Sequence, residues 1–305
     1  MWSGCEKTSS GLPELPDVVV YLDALKPRIV GQPLQRLNLL SPFVLRSVDP
    51  PIESLRGRTV RGVRRVGKRI VMDFDDDLFL VLHLMIAGRL RWRDPDQKPG
   101  IGSKIILASL LFPTGTLFFT EASSRKRASM QLVEGEGALA AMNRGGLEPL
   151  SATIEQFREA LVRENHTLKR ALTDPRLFSG IGNAYSDEIL HAARLSPLKL
   201  TQSLANDEID RLYGSTRDTL LMWIDRLRSE ARDRFPEKVT AFRDEMAVHG
   251  RFRKPCPVCG APVQRIVYAD NECNYCARCQ TAGRLLADRS LSRLLKDDWP
   301  KRLED

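Results

Sequence analysis

The chain has 305 residues, enough for two domains with cores of their own, and its 42% hydrophobic and 28% charged residues are those of a soluble globular protein rather than a disordered one. The longest apolar run, Leu78 to Ala87, is broken by His83 and is too short to cross a bilayer, and the first dozen residues lack the basic start and apolar stretch of an export signal. A cytosolic chain with no membrane partner is therefore expected, and its net charge of +8 with a pI near 9.3 favours a polyanionic partner, because each phosphate neutralised by Lys or Arg releases counterions.

After Pro16 the apolar positions Val18, Val19, Leu22, Leu25 and Ile29 fall three and four apart, the spacing of an amphipathic helix opened by proline in its first turn, with Pro27 expected to bend or end it. From Leu34 to about Leu132 the pattern changes to short β-branched and aromatic runs. The stretch 69–92 reads as two strands about an Asp75 to Asp77 turn, and 104–122 as a second hairpin about Pro113 to Gly115. This half is predicted to be a β-sandwich or barrel-like domain over 13–134. Two basic clusters lie within it: Arg61, Arg64, Arg65, Lys68 and Arg69 in "RGVRRVGKR", and Arg125, Lys126 and Arg127 in "SSRKRAS". Neither carries the acidic complement of a salt-bridged solvent face, so both are expected to meet the polyanion.

The glycines and proline of 135–150 mark a connection. Beyond it Thr153, with Gln156 three residues later, is a capping-box start, and helical periodicity continues through "DEILHAARL" and 205–231, giving a mainly helical domain over 151–249. Within it Gly180-Ile181-Gly182-Asn183 stands immediately before a helix. Two glycines and an Asn there let backbone N–H groups approach an anion with the helix dipole behind them, although the same residues also make ordinary turns. Lys169 and Arg170 nearby shift the balance toward phosphate.

The third unit, 250–282, is built on Cys256, Cys259, Cys276 and Cys279, two Cys-x-x-Cys pairs with sixteen residues between them. Four thiolates from two turns are what tetrahedral Zn²⁺ needs, and a short hairpin can carry one pair at each end. One structural zinc is expected; a pair of disulfides is disfavoured in a cytosolic chain, and Cys273 lacks a partner at the two-residue spacing. A ribbon of this size holds no core alone, so the metal supplies its folding free energy. Residues 283–305 have helical period and are read as a C-terminal helical extension.

The order of four motifs, Pro13-Glu14-Leu15-Pro16-Asp17, Gly67-Lys68-Arg69 leading to "HLMIAGRLR", the Gly-x-Gly-Asn loop and the C-terminal finger, resembles that of the formamidopyrimidine-DNA glycosylase and endonuclease VIII family of base-excision repair enzymes, from about Pro13 to Gln280. The resemblance implies an α+β multidomain fold: an N-terminal β-sandwich, a helix-two-turns-helix domain and a four-cysteine zinc finger, with damaged DNA in the cleft of a monomer. It implies a DNA glycosylase with AP-lyase activity whose N-terminal proline is the nucleophile. A terminal amine suits that role: with a pKa near 8 it is about a tenth unprotonated at pH 7, against about one ordinary lysine in 2,500. Carried onto this sequence, the catalytic residues are Pro13 as the nucleophile, Glu14, which handles protons at the sugar ring oxygen, and Lys68, which contacts the phosphate beside the lesion and assists catalysis. Lys169 and Asn183 match phosphate-binding positions, and Ile86 stands where a methionine wedge usually fills the hole left by the flipped nucleotide, with a core strand residue as the equal alternative; Asp17 stands where a glutamate is usual and Glu188 matches an acidic position in the following helix, both expected to be architectural.

The sequence also departs from the family. Asn271 stands where the finger hairpin usually presents an arginine; it can still hydrogen-bond a DNA phosphate but without the charge and fork, with Arg265 and Arg278 as nearby candidates for compensation, and "EASSRKRAS" replaces the usual Arg-Phe loop, so that Arg125 and Arg127 are expected on DNA backbone with no stacking aromatic. An internal Pro13 has a tertiary amide and no nucleophilicity. Three explanations are open: Leu12 stands for an alternative start codon whose methionine is removed, a protease clips the extension, or the extension is retained and the protein binds abasic or distorted DNA without amine catalysis.

Overall fold

The computed structural model describes residues 12–95, 97–98, 100–232, 234–237, 239, 243–268, 271–287 and 302–303. Helix α1 (Leu15–Ile29) leads into eight strands: β1 (Arg36–Leu39), β2 (Val60–Val66), β3 (Arg69–Phe74), β4 (Leu78–His83), β5 (Gly88–Arg93), β6 (Ile106–Phe112), β7 (Gly115–Glu121) and β8 (Ser129–Glu134). They form two antiparallel four-stranded sheets in the orders β1-β6-β7-β5 and β2-β3-β4-β8, the expected sandwich. Its core takes alternate residues, Ile70, Met72 and Phe74 of β3 and Leu78, Leu80 and Leu82 of β4, against Leu90, Trp92, Leu110, Leu117 and Phe119. The intervening Val71, Phe79 and Val81 are also buried, against Leu139 on the other face of the sheet. This double burial is why the sequence there is an unbroken apolar run instead of an alternation.

Leu139 belongs to a short helix, α2 (Glu136–Ala141), inside the segment expected to be only a connection. Four more helices follow: α3 (Ile154–Val162), α4 (Leu168–Thr173), α5 (Asn183–Ala192) and α6 (Asn206–Ala231), around Phe157, Phe178, Ile181, Tyr185 and Trp223. The capping box that opens α3 is present, with the Gln156 N–H on Thr153 Oγ1 and the Thr153 N–H on Gln156 Oε1. Helix α1 divides its apolar side between the halves: Val18, Tyr21, Leu25 and Ile29 enter the sandwich core and Leu15 the helical one. Pro27 does not interrupt it, and the helix closes two residues later, at Ile29.

The finger is a hairpin, β9 (Gln264–Tyr268) and β10 (Asn271–Tyr275), followed by α7 (Ala277–Thr281). Most of the C-terminal extension lies outside the described residues. Where it is described, Arg302 pairs with Arg284 in an antiparallel bridge and the Leu303 N–H donates to the Gly283 carbonyl (2.9 Å), so this part is extended.

Candidate active site

The expectation of an anion at the start of α5 is met from inside the chain. Glu14, buried at the head of α1, sends its carboxylate across to that helix: Oε2 accepts from the Gly182 N–H (2.6 Å) and the Tyr185 N–H (3.3 Å), and Oε1 from the Ala184 N–H (2.8 Å). The orphan donors of a helix N-terminus, free to hold a phosphate in the sequence reading, are thus occupied by Glu14. The glycines are needed for this approach. A Cβ on Gly182 would collide with the Glu14 carboxyl and the Lys68 ammonium, and one on Gly180, whose φ is +81°, would lie 2.8 Å from the Leu15 Cβ. The Leu15 N–H closes the junction on the Gly180 carbonyl (2.9 Å).

Lys68 sits in the two-residue turn between β2 and β3, whose Gly67 has a φ of +60°. Burial pushes its ammonium below the ordinary lysine value; the Glu14 carboxylate opposes that shift and the Lys169 charge adds to it. The neighbouring Arg65 pins the turn: it donates to the Gly67 carbonyl (2.5 Å) and to Ser179 Oγ (3.2 Å), and it pairs with Glu148. A cavity of about 230 Å³ opens beside Lys68, with Arg69, His83, Arg144, Ser179 and Leu12 in its wall. Among the described residues no carboxylate lines it, and Lys68, Arg69 and Arg144 give it a cationic wall suited to an anion. His83 is held down to about 4 by burial and by the Arg69 and Lys68 charges, so it is a neutral imidazole at pH 7. Only its interruption of an apolar run marked His83 in the sequence.

The remaining site residues are placed unequally. Pro13 is buried at the head of α1, joined to Leu12 at the cavity wall. Asn183 begins α5, and its side-chain amide has no partner among the described residues. Lys169 is engaged within the protein: its three N–H groups go to the Asn183 carbonyl (2.6 Å), Ser186 Oγ (2.8 Å) and Asp187 Oδ1 (2.5 Å). Ile86 is 42% exposed in the turn between β4 and β5, not a core strand residue, and Met85 beside it has a φ of +50°. Arg125 and Arg127 are exposed on the β7–β8 loop, which the buried Glu121 closes by accepting the Arg127 and Ala128 N–H groups. Asn271 opens β10, but its side chain lies outside the described residues. Arg265 is held over the Phe252 ring and near Glu272.

One sequence expectation is corrected. The first basic cluster does have an acidic complement: Arg61 pairs with Asp75, Arg64 with Asp73 and Glu136, and Arg65 with Glu148. Asp73 and Asp75 come from the facing strand and its turn and are brought close when β2 and β3 pair, whereas Glu136 and Glu148 lie 72 and 83 positions from their arginines and arrive through the tertiary fold. The Asp17 and Glu188 carboxylates are both bound within the chain. Asp17 accepts from the Glu14 N–H (3.0 Å) and Arg243 (3.2 Å), and Glu188 from the N–H groups of Ala247, Val248 and His249.

Cys256, Cys259, Cys276 and Cys279 converge, all four Sγ atoms within 4.8 Å of one another. Cys256 and Cys279 are 3.9 Å apart at sulfur and Cys259 and Cys276 3.4 Å, close to the ~3.8 Å between thiolates on a tetrahedral zinc with bonds of about 2.3 Å. The donor set therefore fits that ion. His191 supports it from α5, with Nε2 3.3 Å from Cys256 Sγ. Cys273 is buried apart, facing Ile266 and Tyr275.

Comparison with known proteins gives three consecutive family matches: the formamidopyrimidine-DNA glycosylase N-terminal domain over residues 12–127, the H2TH domain of the same enzymes over 146–233, and a zinc finger found in FPG and IleRS over 253–282. A formamidopyrimidine-DNA glycosylase of Heliobacterium modesticaldum is 32% identical over 278 residues, with 88% of this chain and 100% of the relative covered, and one of Roseiflexus sp. is 33% identical with the same coverage. Among solved structures, Lactococcus lactis Fpg in complex with abasic-site DNA superposes with a TM-score of 0.76 at 28% identity, covering 88% of this chain and 99% of the other. MutM bound to DNA containing carbocyclic 8-oxo-G gives 0.77 at 27% identity, covering 88% and 100%.

Proposed function

The chain belongs to the formamidopyrimidine-DNA glycosylase family of base-excision repair, DNA glycosylases with AP-lyase activity, and we propose that it acts through the amine of Pro13 once that residue is the N-terminus. The observation that carries this reading is the convergence of Glu14, Lys68 and Gly182 beside a cavity with cationic walls, directly at the head of α1. The family match begins at Leu12, the residue before Pro13, which supports a working chain that starts there.

In this reading the unprotonated Pro13 nitrogen attacks C1′ of the damaged nucleoside and the C1′–base bond breaks, the base leaving with the electron pair. The Glu14 carboxylate takes the Pro13 N–H proton as that nitrogen attacks, so that base departure depends on it, and then delivers the proton to the ring oxygen as the C1′–O4′ bond opens, while the departed base takes a proton from water. Proline is a secondary amine, so the resulting iminium is permanently charged. It acidifies C2′, whose proton is lost as the 3′ phosphate departs, and the 5′ phosphate follows by δ-elimination; water then releases the sugar fragment. A Glu14 carboxylate held by three backbone N–H groups is fixed for this relay. Lys68 and Asn183 face the flanking phosphate, Ile86 enters the gap, and Arg125 and Arg127 meet the opposite backbone. Lys169, neutralised by Asp187, serves chiefly to hold α5. The metal is zinc, kept by the four cysteines in a structural role, and the protein works as a monomer.

While Pro13 remains bonded to Leu12, the same cleft is a binder of abasic or distorted DNA without lyase chemistry. Incubation of the chain beginning at Pro13 with duplexes bearing an oxidised base tests the reading: β- and δ-eliminated ends at the lesion are expected, and intact strands across a lesion panel would refute it.

A further inference from the structure

Asp187, in α5, is buried, and its two oxygens face different parts of the chain. Oδ1 accepts from Lys169 Nζ (2.5 Å). Oδ2 accepts from His249 Nδ1 (2.8 Å), the Asn274 N–H (3.1 Å) and Asn274 Nδ2 (3.4 Å). The Lys169 charge and the His249 bond hold the Asp187 carboxyl below its ordinary value in spite of its burial.

On the first side, Lys169 also binds the Asn183 carbonyl and Ser186 Oγ, so it staples α4 to the opening turn of α5. That turn presents the Ala184 and Tyr185 N–H groups to Glu14. On the second side, Asn274 lies on the finger hairpin two residues before Cys276, and His249 lies just ahead of the finger. The next residue, Glu188, holds the Ala247, Val248 and His249 N–H groups, fixing the same segment again. A buried ion pair is a weak source of stability, because desolvation offsets much of the attraction. Its use here is geometric: one carboxylate connects the end of α5 that Glu14 docks on to the metal-folded finger.

We propose that Asp187 is a positioning residue for base release, setting the opening turn of α5, and with it the Glu14 carboxylate, in register with the folded finger. The proposal rests on Glu14 being the proton-handling group. Displacing a catalytic group by about 1 Å can cost about 100-fold in rate without altering ground-state binding. Asp187→Asn, in the chain beginning at Pro13, is therefore expected to slow single-turnover base release about 100-fold, keep its affinity for abasic-site duplex within about threefold, and retain one metal per chain.

An unchanged rate with metal retained overturns the proposal, as does a parallel loss of rate, affinity and metal, which would mark Asp187 as a finger-folding residue only. Should the single variant not fold, Asp187→Asn combined with Lys169→Met removes both charges of the pair and is expected to show the same split between rate and affinity; an unchanged rate there overturns the proposal as well. Glu14→Gln run in parallel separates the two claims. A fully active Glu14→Gln refutes the role given to Glu14, whereas an inactive Glu14→Gln beside an active Asp187→Asn refutes the positioning role alone.

Discussion

Glu14→Gln removes one charge and exchanges one oxygen for an amide nitrogen. The best placement of the new side chain keeps its oxygen on the Gly182 and Tyr185 N–H groups and turns its NH₂ toward the Ala184 N–H, now 2.8 Å from Oε1. One charge-assisted bond is lost, a buried donor is left unpaired, and the other two bonds weaken to neutral strength. Losses of about 1.5–3 kcal/mol for a hydrogen bond to a charged group give a total of about 2–4 kcal/mol. At about 2–4 °C per kcal/mol, the melting temperature should fall by roughly 4–15 °C. Loss of the proton relay should also slow base release by about 10²–10⁴-fold, while affinity for an abasic-site duplex falls much less. Thermal denaturation, single-turnover excision and duplex binding measure the three quantities. An unchanged melting temperature would refute the docking of Glu14 on α5, and a fall in binding that matches the fall in rate would refute its chemical role.

Two further outcomes follow from the structure. Metal analysis should return one zinc per chain, and chelation should unfold the finger and abolish duplex binding; a metal-free chain with an intact finger would contradict the four-cysteine site. Burial raises the Asp17 carboxyl to about 6 from 3.8, against the pull of Arg243, so the folded chain holds that proton more tightly than the unfolded chain. Its stabilising contribution is complete below about pH 4 and is lost as pH rises to about 6, a change on the order of 3 kcal/mol. The stability difference between Asp17→Asn and the parent should shift in favour of the Asn form across that interval, and a pH-independent difference would refute the buried titration.

Much of the architecture was legible because its signals are local. The Asp75 to Asp77 turn, with Asp76 and Asp77 at positive φ, the Thr153–Gln156 box and the Cys-x-x-Cys pairs each depend on residues a few positions apart. What the sequence hid depends on pairing at a distance. Glu14 reaches helix residues 168 to 171 positions away, and no periodicity reports that. Arg61 and Arg64 look unpaired until β2 and β3 come together, and Arg65 until Glu148 arrives from 83 positions away. Lys169 reads as a phosphate-binding lysine because Asp187, its partner, resembles an ordinary acidic residue of an amphipathic helix. The exposure of Ile86 is likewise invisible in "HLMIAG", where the chain leaves one sheet for the other after an unbroken apolar strand.

Both base release and strand cleavage as proposed depend on a covalent adduct at the Pro13 amine. Borohydride trapping on abasic-site duplex tests it most directly, with the chain beginning at Pro13 compared with the 305-residue chain. A stable cross-linked product is expected from the Pro13 form and none from the longer form, in which Leu12 occupies that nitrogen. Equal trapping of both would contradict it.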